Sequence, residues 1–164
     1  MADYTAKSSP RISRAIFRQA LVNRSSPAGE IYMSECEHPQ EMADELYNIC
    51  VAWEVDPAIA LAFFVHESTA GTRGYARKTK NWGNVRLPIH GALRDDGSFA
   101  YYSSWAVSLN AFCKLLRSRI YEGAGLKTVG QIIPRYAPAA DNNVPALYIA
   151  AVNNMVATWE RLSS

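Results

Sequence analysis

One carboxylate, Glu67, stands where packing alone has no use for it. Residues 58–65 are apolar at every position, too continuous for a one-sided surface helix, so this segment must be surrounded by protein. Glu67 falls in the last turn of that helix, at the negative end of its dipole and among apolar neighbours, two influences that favour the neutral acid. A carboxylic acid that keeps its proton is what general acid catalysis needs, because it can protonate a leaving oxygen. The plain alternative is a helix-end Glu held by an Arg, an ion pair with no chemistry. Metal chemistry has no comparable support. Cys36, Cys50 and Cys113 lack CxxC spacing, and His38, His66 and His90 do not cluster with them, so no metal and no cofactor is implied. The thiols read as buried and free, with a Cys36–Cys50 disulfide as the alternative.

The elements that must position Glu67 are marked locally. Asp56 can cap the central helix with its side-chain oxygen, and Pro57 fits the first turn, where no N–H is needed. Over residues 41–54, Met42, Leu46, Ile49, Cys50 and Trp53 recur at helical spacing and predict a partner helix joined by a tight turn. Two helices with a short turn also suggest a DNA reader, but the second is wholly apolar where base contacts need polar side chains. Nucleic-acid binding is not expected.

Before this pair, residues 1–10 read as a flexible lead-in. Ile12, Ala15, Ile16, Gln19 and Ala20 then trace a short amphipathic helix whose Arg11, Arg14 and Arg18 form a solvated basic face. After Glu67 come loops at residues 69–74 and 81–84, then a hairpin with Arg94-Asp95-Asp96-Gly97-Ser98 as its turn signal. Trp105, Leu109, Phe112, Leu115 and Leu116 restore the helical period behind a Ser103 or Ser104 cap, and a short helical stretch follows near residues 128–133. The last helix, over about residues 144–162, is predicted to turn Leu147, Ala151, Met155 and Trp159 inward.

The length of 164 residues suits one domain, and 49% hydrophobic with 20% charged residues excludes disorder and fibrous repeats. A net charge of +2 is too small to argue for nucleic acid and is compatible with an anionic polymer substrate. No apolar run approaches the ~20 residues of a membrane span, and the first residues lack the apolar core of a secretory signal. A soluble monomer is expected; its localisation and any route to an extracellular target are not written in the sequence.

His66-Glu67-Ser68-Thr69-Ala70-Gly71-Thr72 resembles the ES-x-x-GT glutamate motif of bacterial peptidoglycan N-acetylglucosaminidases, the flagellar-muramidase and autolysin type of the lysozyme superfamily. Asn81-Trp82-Gly83-Asn84 occupies the place of their Asn-containing turn, and the segment from Phe99 to Trp105, followed by Ser108, is similar to their F-x-x-Y-x-S-W. Tyr136-Ala137-Pro138 and Asp141-Asn142-Asn143, with Tyr148, match their closing segment. The resemblance covers about residues 40–160 and rests on four motifs in the right order.

It implies a mostly α-helical, lysozyme-like domain with a small β-hairpin lobe over residues 40–164; residues 1–39 match only loosely and read, from their own pattern, as a lead-in and short helix packed on it. It also implies hydrolysis of the β-1,4 bond after N-acetylglucosamine in peptidoglycan glycan strands, with Glu67 as general acid. In this family the second acid lies on the hairpin, where Asp95 and Asp96 are the candidates; ordinary Asp-Asp-Gly turn chemistry is the alternative. Failing both, the sugar's acetamido group can act as internal nucleophile. Ser103, where many relatives have Asp, removes one further acid. Asn81 and Asn84 can bond either the loop backbone or a sugar acetamide. Trp82, Tyr102 and Tyr136 offer faces for stacking on sugar rings, with core packing as the alternative. His66 is expected to point away from Glu67 into local packing. Muramidase or lytic transglycosylase activity, and a non-catalytic wall-binding or phage structural module, are the competing readings.

Overall fold

Asp56 begins the central helix as its sequence suggests, with its side chain accepting from the backbone N–H of Ala58 at 3.1 Å. The computed structural model describes residues 1–22, 37–85, 94–95 and 99–164, the pair 94–95 by backbone only. Among the described residues the chain is mostly helical: α1 (Arg14–Val22), α2 (Pro39–Ala52), α3 (Pro57–Ser68), α4 (Gly74–Thr79), α5 (Trp105–Leu116), α6 (Val129–Tyr136) and α7 (Pro145–Ser163). Strands β1 (Arg94–Asp95) and β2 (Ala100–Tyr101) pair antiparallel, Arg94 opposite Tyr101 and Asp95 opposite Ala100. None of these helices is long and apolar enough to cross a membrane.

The hub is α3, whose residues 57–64 are all buried. It packs most extensively on α7, with α1, α2 and α4 also against it. The helix ends in three successive left-handed residues, Thr69 at φ 50°, Ala70 at φ 54° and Gly71 at φ 78°. Thr69 and Ala70 carry a Cβ in a region that costs roughly 1–2 kcal/mol per residue, so the surroundings must hold them there. Ser68 supplies part of that hold, accepting from Gly71 N–H at 2.8 Å while donating to the Phe64 carbonyl at 3.2 Å. A Cβ at Gly71 would lie 2.7 Å from the Trp105 ring and 2.9 Å from Phe64, so the turn also needs glycine for space.

The stretch before α1 is not the loose lead-in expected. Ala6 N–H donates to Lys127 O at 2.9 Å, Asp56 N–H to Ala6 O at 2.9 Å and Val129 N–H to Tyr4 O at 2.9 Å, so residues 4–8 strap α6 to the α2–α3 turn. The inward face of α1 is Phe17 and Leu21, with Ile12 buried just before it. Its arginines do not form a solvated face either: Arg18 grips Asp44 of α2 at 2.6 and 2.8 Å, Arg14 reaches Asn48 at 2.7 Å, and Arg11 bonds the buried Asp56 at 2.6 Å. The acids that pair them were invisible to a helix-by-helix reading.

The cap of α5 matches local expectation, and that of α6 is a further one. Ser104 accepts from Val107 N–H at 3.1 Å, and Thr128 with Gln131 forms a reciprocal capping box for α6. The face of α7 differs: Tyr148, Val152, Val156 and Trp159 are buried, while Leu147 is 68% exposed. The inward stripe is thus one residue along from the one predicted over the first three positions. Asn153 fixes it by accepting from Tyr4 N–H at 3.3 Å.

Candidate active site

Both carboxylate oxygens of Glu67 are held. Oε1 accepts from the Tyr148 hydroxyl at 2.6 Å, and Oε2 accepts from Asn84 Nδ2 at 3.2 Å, with the same amide 3.4 Å from the Glu67 carbonyl. Glu67 is only partly buried, so the purely apolar surroundings expected from the sequence are replaced by two polar donors and some solvent. Among the described residues no cation pairs with it.

Tyr148 arrives from α7, one turn in from a start set by Pro145 in the first turn. Its ring contacts two residues of α3 three positions apart: Phe63 at 5.6 Å between centroids and His66 at 3.9 Å. His66 therefore lies over the tyrosine that bonds its neighbour, and burial lowers its pKa against the opposing pull of the Glu67 charge. Burial, then the nearby Glu67 charge, pushes the Tyr148 hydroxyl well above the ordinary tyrosine value, so it remains a donor at neutral pH.

Asn84 arrives from the turn at residues 81–84, where it sits at φ 51°. Asn81 makes that turn rigid: its Nδ2 donates to Val85 O at 2.8 Å and Ala100 O at 3.0 Å, and its Oδ1 accepts from Val85 N–H at 3.0 Å. With its amide committed to backbone and only 1% exposed, Asn81 does not present a group to a ligand. Trp82 is a correction of the same kind. Its indole N–H donates to Ala60 O at 2.8 Å and its ring stacks on Phe64 at 3.9 Å, so the face expected for a sugar is covered by the core. Gly83 accepts from the Tyr136 hydroxyl at 2.5 Å, and a Cβ there would fall 2.0 Å from that oxygen. Tyr136 thus clamps the turn from α6, with its ring edge-on to Phe63 at 5.1 Å.

Tyr102, expected in the cleft, is 5% exposed and belongs to a small cluster with Ala100 and Ala111. Burial pushes its hydroxyl up to about 12. Asp95 lies in β1 opposite Ala100; its side chain and the whole of Asp96 lie outside the described residues, as does Cys36. Cys50 and Cys113 are buried free thiols.

Of the residues singled out from sequence, then, the structure brings Asn84 directly to Glu67 and Tyr136 to the adjoining turn. Tyr148 was missed as a site residue. Two signals pointed to it: its place in the closing segment that resembles the family, and an i+4 stripe through Tyr148, Val152 and Val156, in competition with an equally apolar one beginning at Leu147.

The buried hydroxyls predict alkaline behaviour with a definite sign. Tyr102, Tyr121, Tyr136 and Tyr148 are all raised in the folded protein, chiefly by burial. Their contribution to stability is fully present below the ordinary tyrosine pKa of 10.0 and is lost as pH rises through the folded values. Tyrosinate absorbance should accordingly show these four ionising only at higher pH or together with loss of helical circular dichroism. Titration of all nine tyrosines at the ordinary value with the helix signal intact would contradict the packing described.

In comparisons with known proteins, no family model matches the chain and no curated protein matches it significantly.

Proposed function

We propose that this chain is a glycoside hydrolase of the lysozyme superfamily that cleaves the β-1,4 bond after N-acetylglucosamine in peptidoglycan, with Glu67 donating the proton to the leaving oxygen. The observation that carries this reading is a carboxylate at the end of a helix buried over residues 57–64, aimed by two side chains from separate parts of the chain, Asn84 and Tyr148. A general acid must be held in one orientation to act on a bound sugar, and a core helix with hydrogen bonds to both oxygens supplies that hold. Supporting it, the segments that resemble the N-acetylglucosaminidase motifs converge here: Asn84 and Tyr148 on the carboxylate, Tyr136 on Gly83, and Ser108 accepting from Trp82 N–H at 3.2 Å.

The test is to digest purified sacculi and analyse the new chain ends by mass. Reducing N-acetylglucosamine ends are the expected product. Reducing muramic ends would make the protein a muramidase, anhydro-muramic ends a lytic transglycosylase, and saturable binding without new ends a wall-binding module.

Tyr148 acts through Glu67 as a positioning residue. Glu67 becomes charged as it gives up its proton, and a hydrogen bond to a charged group is worth about 1.5–3 kcal/mol, so Tyr148→Phe should lower kcat by about 10- to 100-fold. Its ring contacts with Phe63 and His66 survive, and KM should stay close to wild type. A raised KM at unchanged kcat would show that the hydroxyl serves binding and not the aim of the carboxylate.

A further inference from the structure

We propose that α4 and its flanks form a basic, aromatic ledge that binds the carboxylate-bearing branches of the glycan beside Glu67; the choice of glycan rests on the hydrolase reading above. Residues 69–85 contain four basic residues and no acidic one, in a chain whose overall charge is only +2. Helix α4 buries Ala76 and Thr79 and turns its other side outward, leaving Arg73, Lys78, Lys80 and Tyr75 exposed. Among the described residues no carboxylate pairs with Arg73, Lys78 or Lys80, in contrast to the arginines at positions 11, 14 and 18. Uncompensated cations on one short helix and its flanks attract anions and are not needed to hold the fold.

Two further observations choose the kind of anion. Tyr75 is 53% exposed and lies against the Phe99 ring at 5.0 Å between centroids with an interplanar angle of 31°, which makes a small aromatic platform among the charges. An aromatic face beside cations suits a sugar polymer that carries acids. The ledge is also continuous with the carboxylate. At its start Arg73 N–H donates to Ser68 O at 3.1 Å, next in sequence to Glu67; just past its end comes Asn84, whose amide bonds Glu67 Oε2. The chain leaves the site, forms the ledge and returns to the site within 17 residues, and Tyr102 N–H fastens the ledge to β2 through Thr79 O at 2.8 Å. A glycan laid across Glu67 would bring its acidic branches to this face.

The experiment uses the full chain carrying Glu67→Gln, so that binding is read without turnover, and two insoluble probes. Sacculi stripped of phosphate polymers carry the peptide carboxylates; chitin has the N-acetylglucosamine backbone without them. The expected result is tighter binding to sacculi than to chitin, weakening as salt is raised. The added triple change Arg73→Gln, Lys78→Gln, Lys80→Gln should cost about tenfold in affinity for sacculi, the scale of three exposed ion pairs, and leave chitin binding unchanged. Adding Tyr75→Ala instead should weaken both. Equal affinity of parent and triple variant for sacculi, with matching circular dichroism, overturns the ledge. So does a double-stranded DNA fragment or an anionic vesicle that binds the parent more tightly than sacculi do and loses that binding in the triple variant, which would assign the face to a different partner. Hydrolysis that persists in Glu67→Gln would instead count against the acid assignment and leave the binding comparison to be read on its own.

Discussion

Glu67→Gln is expected to fold as the wild type does and to release chain ends from sacculi about 10²–10⁴-fold more slowly, the usual contribution of a general acid. The amide is nearly the same shape, and its oxygen can still accept from the Tyr148 hydroxyl that now sits 2.6 Å from Oε1. The new NH₂ would face the Asn84 amide, donor against donor. Asn84 has the remedy in itself: its Oδ1 is buried without a hydrogen-bond partner, so turning the amide over gives the glutamine an acceptor. The turned Nδ2 then takes the unpartnered place that Oδ1 held and leaves the Glu67 carbonyl, so stability should fall by about 1–3 kcal/mol at most. Equal rates in the two proteins would remove Glu67 from the chemistry, whatever the substrate.

Asp56→Ala should be strongly destabilising without touching the site, because Asp56 holds the opposite end of the helix that carries Glu67. Asp56 is fully buried and serves three partners: Oδ1 accepts from Ala58 and Arg11 N–H at 3.1 and 3.2 Å, and Oδ2 accepts from the Arg11 guanidinium at 2.6 Å. Removing one member of a buried pair costs about 3–5 kcal/mol, and loss of a helix cap adds roughly 1. Against a total stability of about 5–15 kcal/mol that is enough to unfold a large share of the molecules at moderate temperature. Arg11 keeps other acceptors, Thr5 O and Ser8 Oγ, each at 3.0 Å, so the loss should sit toward the lower end. Urea unfolding measures it. A midpoint change equivalent to less than about 1 kcal/mol at unchanged slope would mean that Asp56 is not the anchor of the strap and the helix.

Features set by neighbours in sequence were legible before the structure: Asp56 and Pro57 at the start of α3, the Ser104 cap, the apolar run that buries α3, and Glu67 at its end. Features set by partners far along the chain were not. Trp82 has a polar edge and a broad face, which fit a sugar cleft and a core equally, and only the position of Phe64 and Ala60 decides between them. The face of α7 turned on which of two apolar stripes meets α3; Asn153 and Tyr148, both polar, choose the one that satisfies their hydrogen bonds. The hairpin acids Asp95 and Asp96 are candidates only through the family resemblance, which puts the second acid there; nothing in their spacing ties them to Glu67.

The strap at residues 4–8 also sets an order of assembly. Tyr4 bonds Asn153 and Glu160, 149 and 156 residues further on, and Asp3 accepts from Gly130 N–H across 127. Contacts that close such long loops form late in folding, since the entropy of closure must be met before they contribute. On a ribosome adding about 5–20 residues per second, the first residues of the strap wait roughly ten seconds for their partners to be made. Tyr148 lies in the same distant segment as Asn153, so the carboxylate is aimed only once the partners of the strap have been made.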